Sequence, residues 1–246
     1  AQSALAALRS LFSWHASRTD EYRSPIVRKM SRFKPKERER TRVLSDDELR
    51  IVWKVAQEHR GPYDYLVQFV LLTATRLRET SDMNRSELSA DGTEWIIPAP
   101  RYKTKLDHLV PLSKSAQAVL GDIPVVGRKG VVFTTNGETP ISGFSKFKHD
   151  FDKRVLEELR KHDPKAEQLP RWTNHDLRRT ARTLMSRAGV APDHAERALG
   201  HVIGGVRGVY DRNEYRAEKR FALEALAAQI GRIVNPVENV VPIAAA

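Results

Sequence analysis

Cysteine is absent from the 246 residues of this chain. Disulfides and thiolate metal sites are therefore excluded, and a cysteine-free chain fits the cytosol. Long apolar runs are missing too. No stretch approaches the ~20 residues that a membrane helix needs, and no basic segment leads into an apolar signal core. No pair of histidines has the Glu-flanked i,i+4 spacing of a zinc helix, and no carboxylate cluster suggests a divalent-ion site. The chain opens on Ala1 rather than Met, as expected of a truncated or processed protein. Acidic residues are the minority charge: 31 Asp and Glu stand against 42 Lys and Arg, a formal net charge of +11. That imbalance points to a polyanionic partner, either nucleic acid or an anionic membrane surface. Apolar residues make up 40% of the chain, enough to core one large domain, or a domain plus a fragment.

The apolar spacing of Leu5, Leu8, Leu11 and Phe12 predicts a helix over 3–18. Ser24-Pro25 breaks the chain, because a residue before proline is pushed out of helical space. From Arg28 to Arg42 the sequence is strongly basic, interrupted only by Glu37 and Glu39. This stretch is either a solvated linker or a strap lying along phosphates. Ser45 with Glu48 forms a capping box that opens a helix to about residue 58. Gly61-Pro62 ends it and starts another, whose buried face is Tyr65, Leu66, Phe69, Val70 and Leu72. Trp95–Ile97, Leu109–Leu112 and Val131–Phe133 are short β-prone runs between polar turns, and predict a small antiparallel sheet. Helical patterning returns from about 143. Leu223, Leu226, Ala227 and Ile230 stripe a last helix that Gly231 is expected to stop. The fold class is thus mainly α with a small antiparallel β-sheet (α+β).

Four separated pieces carry candidate chemistry. Arg76 and Glu79 follow an apolar helix. Lys103 and Lys105 sit in a turn ahead of Leu109-Val110-Pro111-Leu112. His175-Asp176-Leu177-Arg178 places a histidine and an arginine on one helical face. Leu199-Gly200-His201 is followed nine residues later by Tyr210. Taken singly, each reads as a surface arginine, a solvated hairpin, a helix face or an unremarked tyrosine.

In order, Arg, Lys, His-x-x-Arg, Gly-His and Tyr resemble the signature of the tyrosine recombinase (phage integrase) family, over residues ~44 to ~232. The flanks Leu-Leu-Thr before Arg76, Val-Pro-Leu-Ser after the lysines and His-Asp-Leu-Arg-Arg-Thr are similar to family segments. The resemblance implies the catalytic-domain fold of tyrosine recombinases and a set of roles. Tyr210 is the nucleophile, leaving a 3′-phosphotyrosine and a free 5′-hydroxyl. Arg76 and Arg178 grip the scissile phosphate, since guanidinium groups stay charged and donate paired hydrogen bonds. His175 accepts the tyrosine proton and His201 hydrogen-bonds the phosphate. Lys103, seven residues before Val110, is the general acid, with Lys105 next in line. Glu79 resembles the buried carboxylate that orients the site, or else is a plain i,i+3 partner. Lys105, Arg179, Arg40 and Arg42 are expected to contact DNA.

The resemblance implies no cofactor and no metal. The partner is double-stranded DNA at a specific recombination site, bound as a homotetramer, with a monomer or weak dimer off DNA and a directionality factor as a further partner. No membrane is involved, and the place of action is the bacterial cytoplasm, at the nucleoid. The domain reading is a remnant of a core-binding domain over 1–24, a basic linker over 25–43, the catalytic domain over 44–233 and a tail over 234–246. The C-terminal piece docks on a neighbouring protomer or folds back on its own domain. Ala74 departs from the glycine frequent in the family, and Arg179 from a second histidine. Two rival readings remain open at this stage: a type IB topoisomerase-like strand cleavage, and a non-catalytic DNA-binding module on the same fold.

Overall fold

A computed structural model describes residues 2–27, 30, 40–201 and 214–236. The chain divides into two compact units, Ala1–Thr41 and Arg42–Ala246. The first contains α1 (Gln2–Ala16). Phe12 and His15 of α1 pack on Tyr22, with ring centroids 6.3 and 4.5 Å apart. Arg9 donates to the carbonyl of Met30 at 2.6 Å. Leu8, Leu11 and Trp14 stay exposed.

In the second unit, α2 (Asp46–His59) begins at the predicted capping box, in which Ser45 Oγ accepts from Glu48 N. Gly61 and Pro62 then start α3 (Pro62–Thr73). Every residue of α3 from Tyr63 to Thr73 is buried, so this helix has no solvent face. It is enclosed by α2, α5 (Lys114–Asp122), α7 (Asn174–Arg187) and the C-terminal helix. Its own carbonyl at Val70 receives the Ala74 N–H, and Ala74 closes the helix in the left-handed conformation, at φ 53°. The short α4 (Leu77–Ser81) follows at once.

The sheet is smaller than the sequence suggests. Among the described residues β1 (Glu94–Ile97) pairs antiparallel with β2 (His108–Pro111), with Trp95 opposite Val110 and Ile97 opposite His108. The third expected run, Val131–Phe133, makes only an isolated bridge from Val131 to Asn84. Its neighbours on either side explain why: Val132 N–H donates to Met83 O and Phe133 O accepts from Ile141 N–H, both in irregular chain. The run is β-prone because Val132 and Phe133 fill the core, not because a ladder partner is available.

Two long helices complete the unit, α6 (Phe144–His162) and, after α7 and α8 (Pro192–Ala198), α9 (Arg216–Val234). Helix α9 packs on α2, α3, α7, α8 and β2 of its own unit, and buries Leu223, Leu226, Ala227, Ile230 and Ile233. Covering β2 from this side leaves all four of its residues buried. Gly231 does not stop the helix as expected. The turn runs on to Val234, because burying Ile233 outweighs glycine's weak helix preference, and Asn235 caps it. The helical part of the C-terminal piece therefore folds back on its own domain. The tail after residue 236 lies outside the described residues.

Candidate active site

Arg76 is the N-cap of α4, the first residue to emerge after the enclosed α3. Its backbone N–H donates to Glu79 Oε2 at 2.9 Å and its Nη1 to Glu79 Oε1 at 2.5 Å. Glu79 is buried and forms an i,i+3 ion pair with Arg76. Burial alone would lower the Arg76 pKa, but its hydrogen bond to Glu79 and that residue's charge, with Tyr102 adding to them, raise it and hold the guanidinium protonated.

Arg178 projects from α7, whose start is fixed by Thr173 and the buried Asp176 in a capping box. Only 4% of Arg178 is exposed. Its Nη1 donates to Ala74 O at 2.5 Å and its Nη2 to Leu199 O at 2.9 Å, with His201 Nε2 at 3.0 Å. One guanidinium thereby ties the α3–α4 turn to the end of α8. Burial, then the nearby charge of Arg76, lower its pKa to about 10, still well above neutrality. The two arginines and His201 thus converge from stretches of chain that are far apart in sequence.

His175 lies one turn before Arg178 on α7. Partial burial and the positive charges of Arg179, Arg178 and Arg76 lower its proton affinity, against the opposing pull of Asp176. A neutral imidazole at pH 7 is the form a proton acceptor requires. Arg179 is paired with Asp176.

Lys103 is exposed in the turn joining β1 to β2. Lys105 sits in the left-handed region at φ 58°, with its Nζ on Pro100 O at 2.9 Å. Arg40 is exposed, in the first unit. Arg42 is turned inward, to Val43 O and Glu48 Oε1, both at 2.5 Å, and to Pro170 O at 3.3 Å. Tyr210 lies outside the described residues.

The sequence left out a buried pair beneath the site. Tyr102 stacks on His108 with centroids 4.7 Å apart, its hydroxyl donates to Gly200 O at 3.1 Å, and the Arg76 guanidinium carbon lies 5.6 Å from its ring centre. A Cβ on Gly200 would come within 1.7 Å of the Tyr102 hydroxyl and 2.9 Å of His108 Cε1, and Gly200 has φ +70°. The glycine of Leu-Gly-His is thus required twice over, by backbone conformation and by space. His108 is buried, and burial with the charge of Lys219 lowers its pKa to about 3. Tyr102 is adjacent to Lys103, the one sequence signal that could have flagged it. Beside this pair opens a cavity of about 340 Å³, lined in part by Thr104, Arg197, His201 and Lys219. Among the described residues no group of three His, Asp or Glu side chains could hold a metal ion, and no helix is long and apolar enough to cross a membrane.

In this mainly helical domain Arg178 touches His201 and lies near Arg76, two guanidinium groups and an imidazole beside the cavity, an arrangement whose chemistry suits an anion. Comparison with known proteins gives the family. The profile of the Phage integrase family matches residues 42–216, and the chain belongs to that family. Prophage integrase IntA of Escherichia coli (strain K12) is 31% identical over 157 residues, 63% of this chain and 35% of its own length. Prophage integrase IntZ of the same strain is 30% identical over 185 residues, 68% of this chain and 42% of its own length. The chain thus spans about two fifths or less of the curated relatives it matches. Among solved structures, the Tn1549 transposon integrase in complex with a circular intermediate DNA has a TM-score of 0.60 at 15% identity, covering 82% of this chain and 72% of that one. The XerH site-specific recombinase bound to difH substrate has a TM-score of 0.55 at 16% identity, covering 80% and 57%. At these identities the likeness is one of fold.

Proposed function

We propose that this chain is the catalytic part of a site-specific DNA recombinase, an integrase that cuts and rejoins DNA for a mobile element. The observation that carries the reading is the convergence of Arg76, Arg178 and His201, held respectively by Glu79, by Ala74 O and by Glu196. A phosphodiester resists attack because its charge repels nucleophiles, and the transition state carries still more charge on the non-bridging oxygens. Two preorganised guanidinium groups offset that charge without moving at the moment of reaction. Tyr210 Oη attacks the phosphorus, His175 takes its proton, and the 5′-oxygen leaves with a proton from Lys103. The phosphotyrosine bond conserves the energy of the broken phosphodiester, so another 5′-hydroxyl reverses the step with no nucleotide cofactor.

The partner in this reading is duplex DNA at a recombination site, held by a homotetramer whose direction a further protein factor sets, at the bacterial nucleoid. Arg40, Lys105, Arg179 and, by exchanging its bond to Pro170 O, Arg42 grip the DNA backbone. The net charge of +11 supports such binding. The test is covalent capture. DNA trapped by the full-length enzyme is sequenced, and the captured site is rebuilt as a nicked suicide substrate. Wild type gives a protein–DNA adduct and Tyr210→Phe gives none; an adduct with Tyr210→Phe overturns the assignment.

A further inference from the structure

We propose that Glu196 is a positioning residue for His201. Its carboxylate holds the imidazole with Nε2 turned to Arg178, and stabilises the doubly protonated ring once a phosphate enters between them. The proposal rests on the reading of this place as a phosphodiester site.

The local fold dictates the contact. Helix α8 ends in a turn where His201 N–H donates to Glu196 O and Gly200 N–H to Arg197 O, both at 3.0 Å. This pair of bonds around a left-handed glycine defines a Schellman motif, which folds the residue after the glycine back over the residue five before it. His201 Nδ1 accordingly meets Glu196 Oε2 at 2.5 Å. The other carboxylate oxygen is occupied by Arg182 Nε at 2.8 Å, and Arg182 is itself braced on Ser186 Oγ at 2.6 Å. Glu196 therefore presents one committed oxygen to α7 and one to the ring. Burial works against its ionisation, but the bonds from Arg182 and His201 outweigh it and keep the carboxyl below its ordinary range.

The protons follow from donor and acceptor chemistry. A carboxylate only accepts, so Nδ1 carries the hydrogen. A guanidinium only donates, so Nε2, 3.0 Å from Arg178 Nη2, is a bare lone pair in the free protein. A bare Nε2 cannot donate to a phosphate oxygen. When a phosphate takes over the Arg178 hydrogen bond, Nε2 gains one proton from solvent, reached through a side chain that is 45% exposed, and donates it to the phosphate. The ring then carries a positive charge beside Arg178 and Arg76. Arg197, Arg216 and Lys219 line the cavity around it, with Asp107 and Glu214 as further anions. Glu196 is the anion in direct contact with the ring, and offsets that repulsion as the carboxylate of a His–carboxylate pair does.

The experiment reads the His201 ring nitrogens and the Arg178 guanidinium by nitrogen-15 NMR, with inorganic phosphate as the probe. Free wild type should carry its single ring proton on Nδ1. Saturating phosphate at neutral pH should shift Arg178 and protonate both ring nitrogens. Glu196→Gln, of the same shape without the charge, should still shift Arg178, but at roughly tenfold higher phosphate and with a singly protonated ring. A wild-type proton on Nε2, or a ring that gains its second proton equally in both proteins, overturns the role of Glu196 alone. If phosphate shifts neither Arg178 nor His201 in wild type, the phosphate-site reading fails and the role of Glu196 falls with it.

Discussion

Arg178 donates through Nη1 to the carbonyl oxygen of Ala74, 104 positions earlier, at 2.5 Å. The peptide it reads is held in an unusual shape, because Ala74 closes α3 at φ 53° and ψ 22°. A left-handed alanine costs ~1–2 kcal/mol relative to a right-handed one, a cost glycine avoids. Ala74→Gly should therefore raise unfolding stability by roughly 0.5–1 kcal/mol, net of glycine's extra freedom when unfolded. Urea midpoints measure it; a lower midpoint would mean that the buried methyl matters more than the backbone.

The two arginines should respond differently to truncation. Arg178→Ala leaves the carbonyls of Ala74 and Leu199 without their donor inside the protein, and should cost ~2–5 kcal/mol as well as activity. Arg76 has a side chain 26% exposed, pairs with buried Glu79 and lies over the Tyr102 ring. Arg76→Ala should lose adduct formation with a smaller loss of stability, and Arg76→Ala/Glu79→Gln should regain part of it. Equal unfolding midpoints for the two alanine variants would contradict this ranking.

Much of this was legible in the residues themselves. The Ser45–Glu48 box, the Gly61-Pro62 restart and the apolar stripe of α9 are local signals, and local signals fix where helices begin and which face they bury. What failed were expectations decided by distant partners. Val131–Phe133 has strand composition but, among the described residues, only an isolated bridge from Val131 to Asn84. Gly231 lies within a helix because Ile233, beyond it, is buried. The site followed the same division. The ordered Arg, Lys, His-x-x-Arg, Gly-His and Tyr motif is visible in sequence, whereas Tyr102, His108 and Glu196 act through contacts that only folding creates. Glu196 was within reach of inference, since a glycine stopping a helix places the residue five before its successor against it.

Gly200 should tolerate no side chain. Gly200→Ala forces a left-handed alanine and a clash with Tyr102, and should both destabilise the fold by ~1–3 kcal/mol and abolish adduct formation by displacing His201. Tyr102→Phe, which removes the nearest atom, should restore part of the stability of Gly200→Ala while costing about 1 kcal/mol alone. Additive effects in this double-mutant cycle would show that the two residues do not compete for the same space.

Stability should fall on mild acidification through His108. Its pKa is lowered to about 3 by burial and Lys219, against an ordinary value near 6.5. Below pH 6.5 the unfolded chain binds a proton that the native state refuses, so this contribution is complete above about pH 6.5 and declines progressively towards pH 3. Replacing His108 by Phe should flatten the stability profile between pH 6.5 and 4 relative to wild type. Parallel profiles for the two proteins would refute the assignment.

Lys103 and Lys105 can be told apart by chemistry at the leaving group. Lys103→Ala should slow cleavage of an ordinary phosphodiester on the order of a hundredfold, and a 5′-phosphorothiolate link, which leaves without a proton, should restore it. Lys105→Ala should show neither effect, since its Nζ is bonded to Pro100 O. Rescue of Lys105→Ala instead would transfer the role.

The enclosure of α3 has a consequence for recognition. A rod held on every side by neighbouring helices has little room to sway, and the guanidinium that emerges at its end inherits that stillness. The ordering of Arg76 is therefore completed during folding, and an arriving anion finds a fixed receptor instead of having to immobilise one.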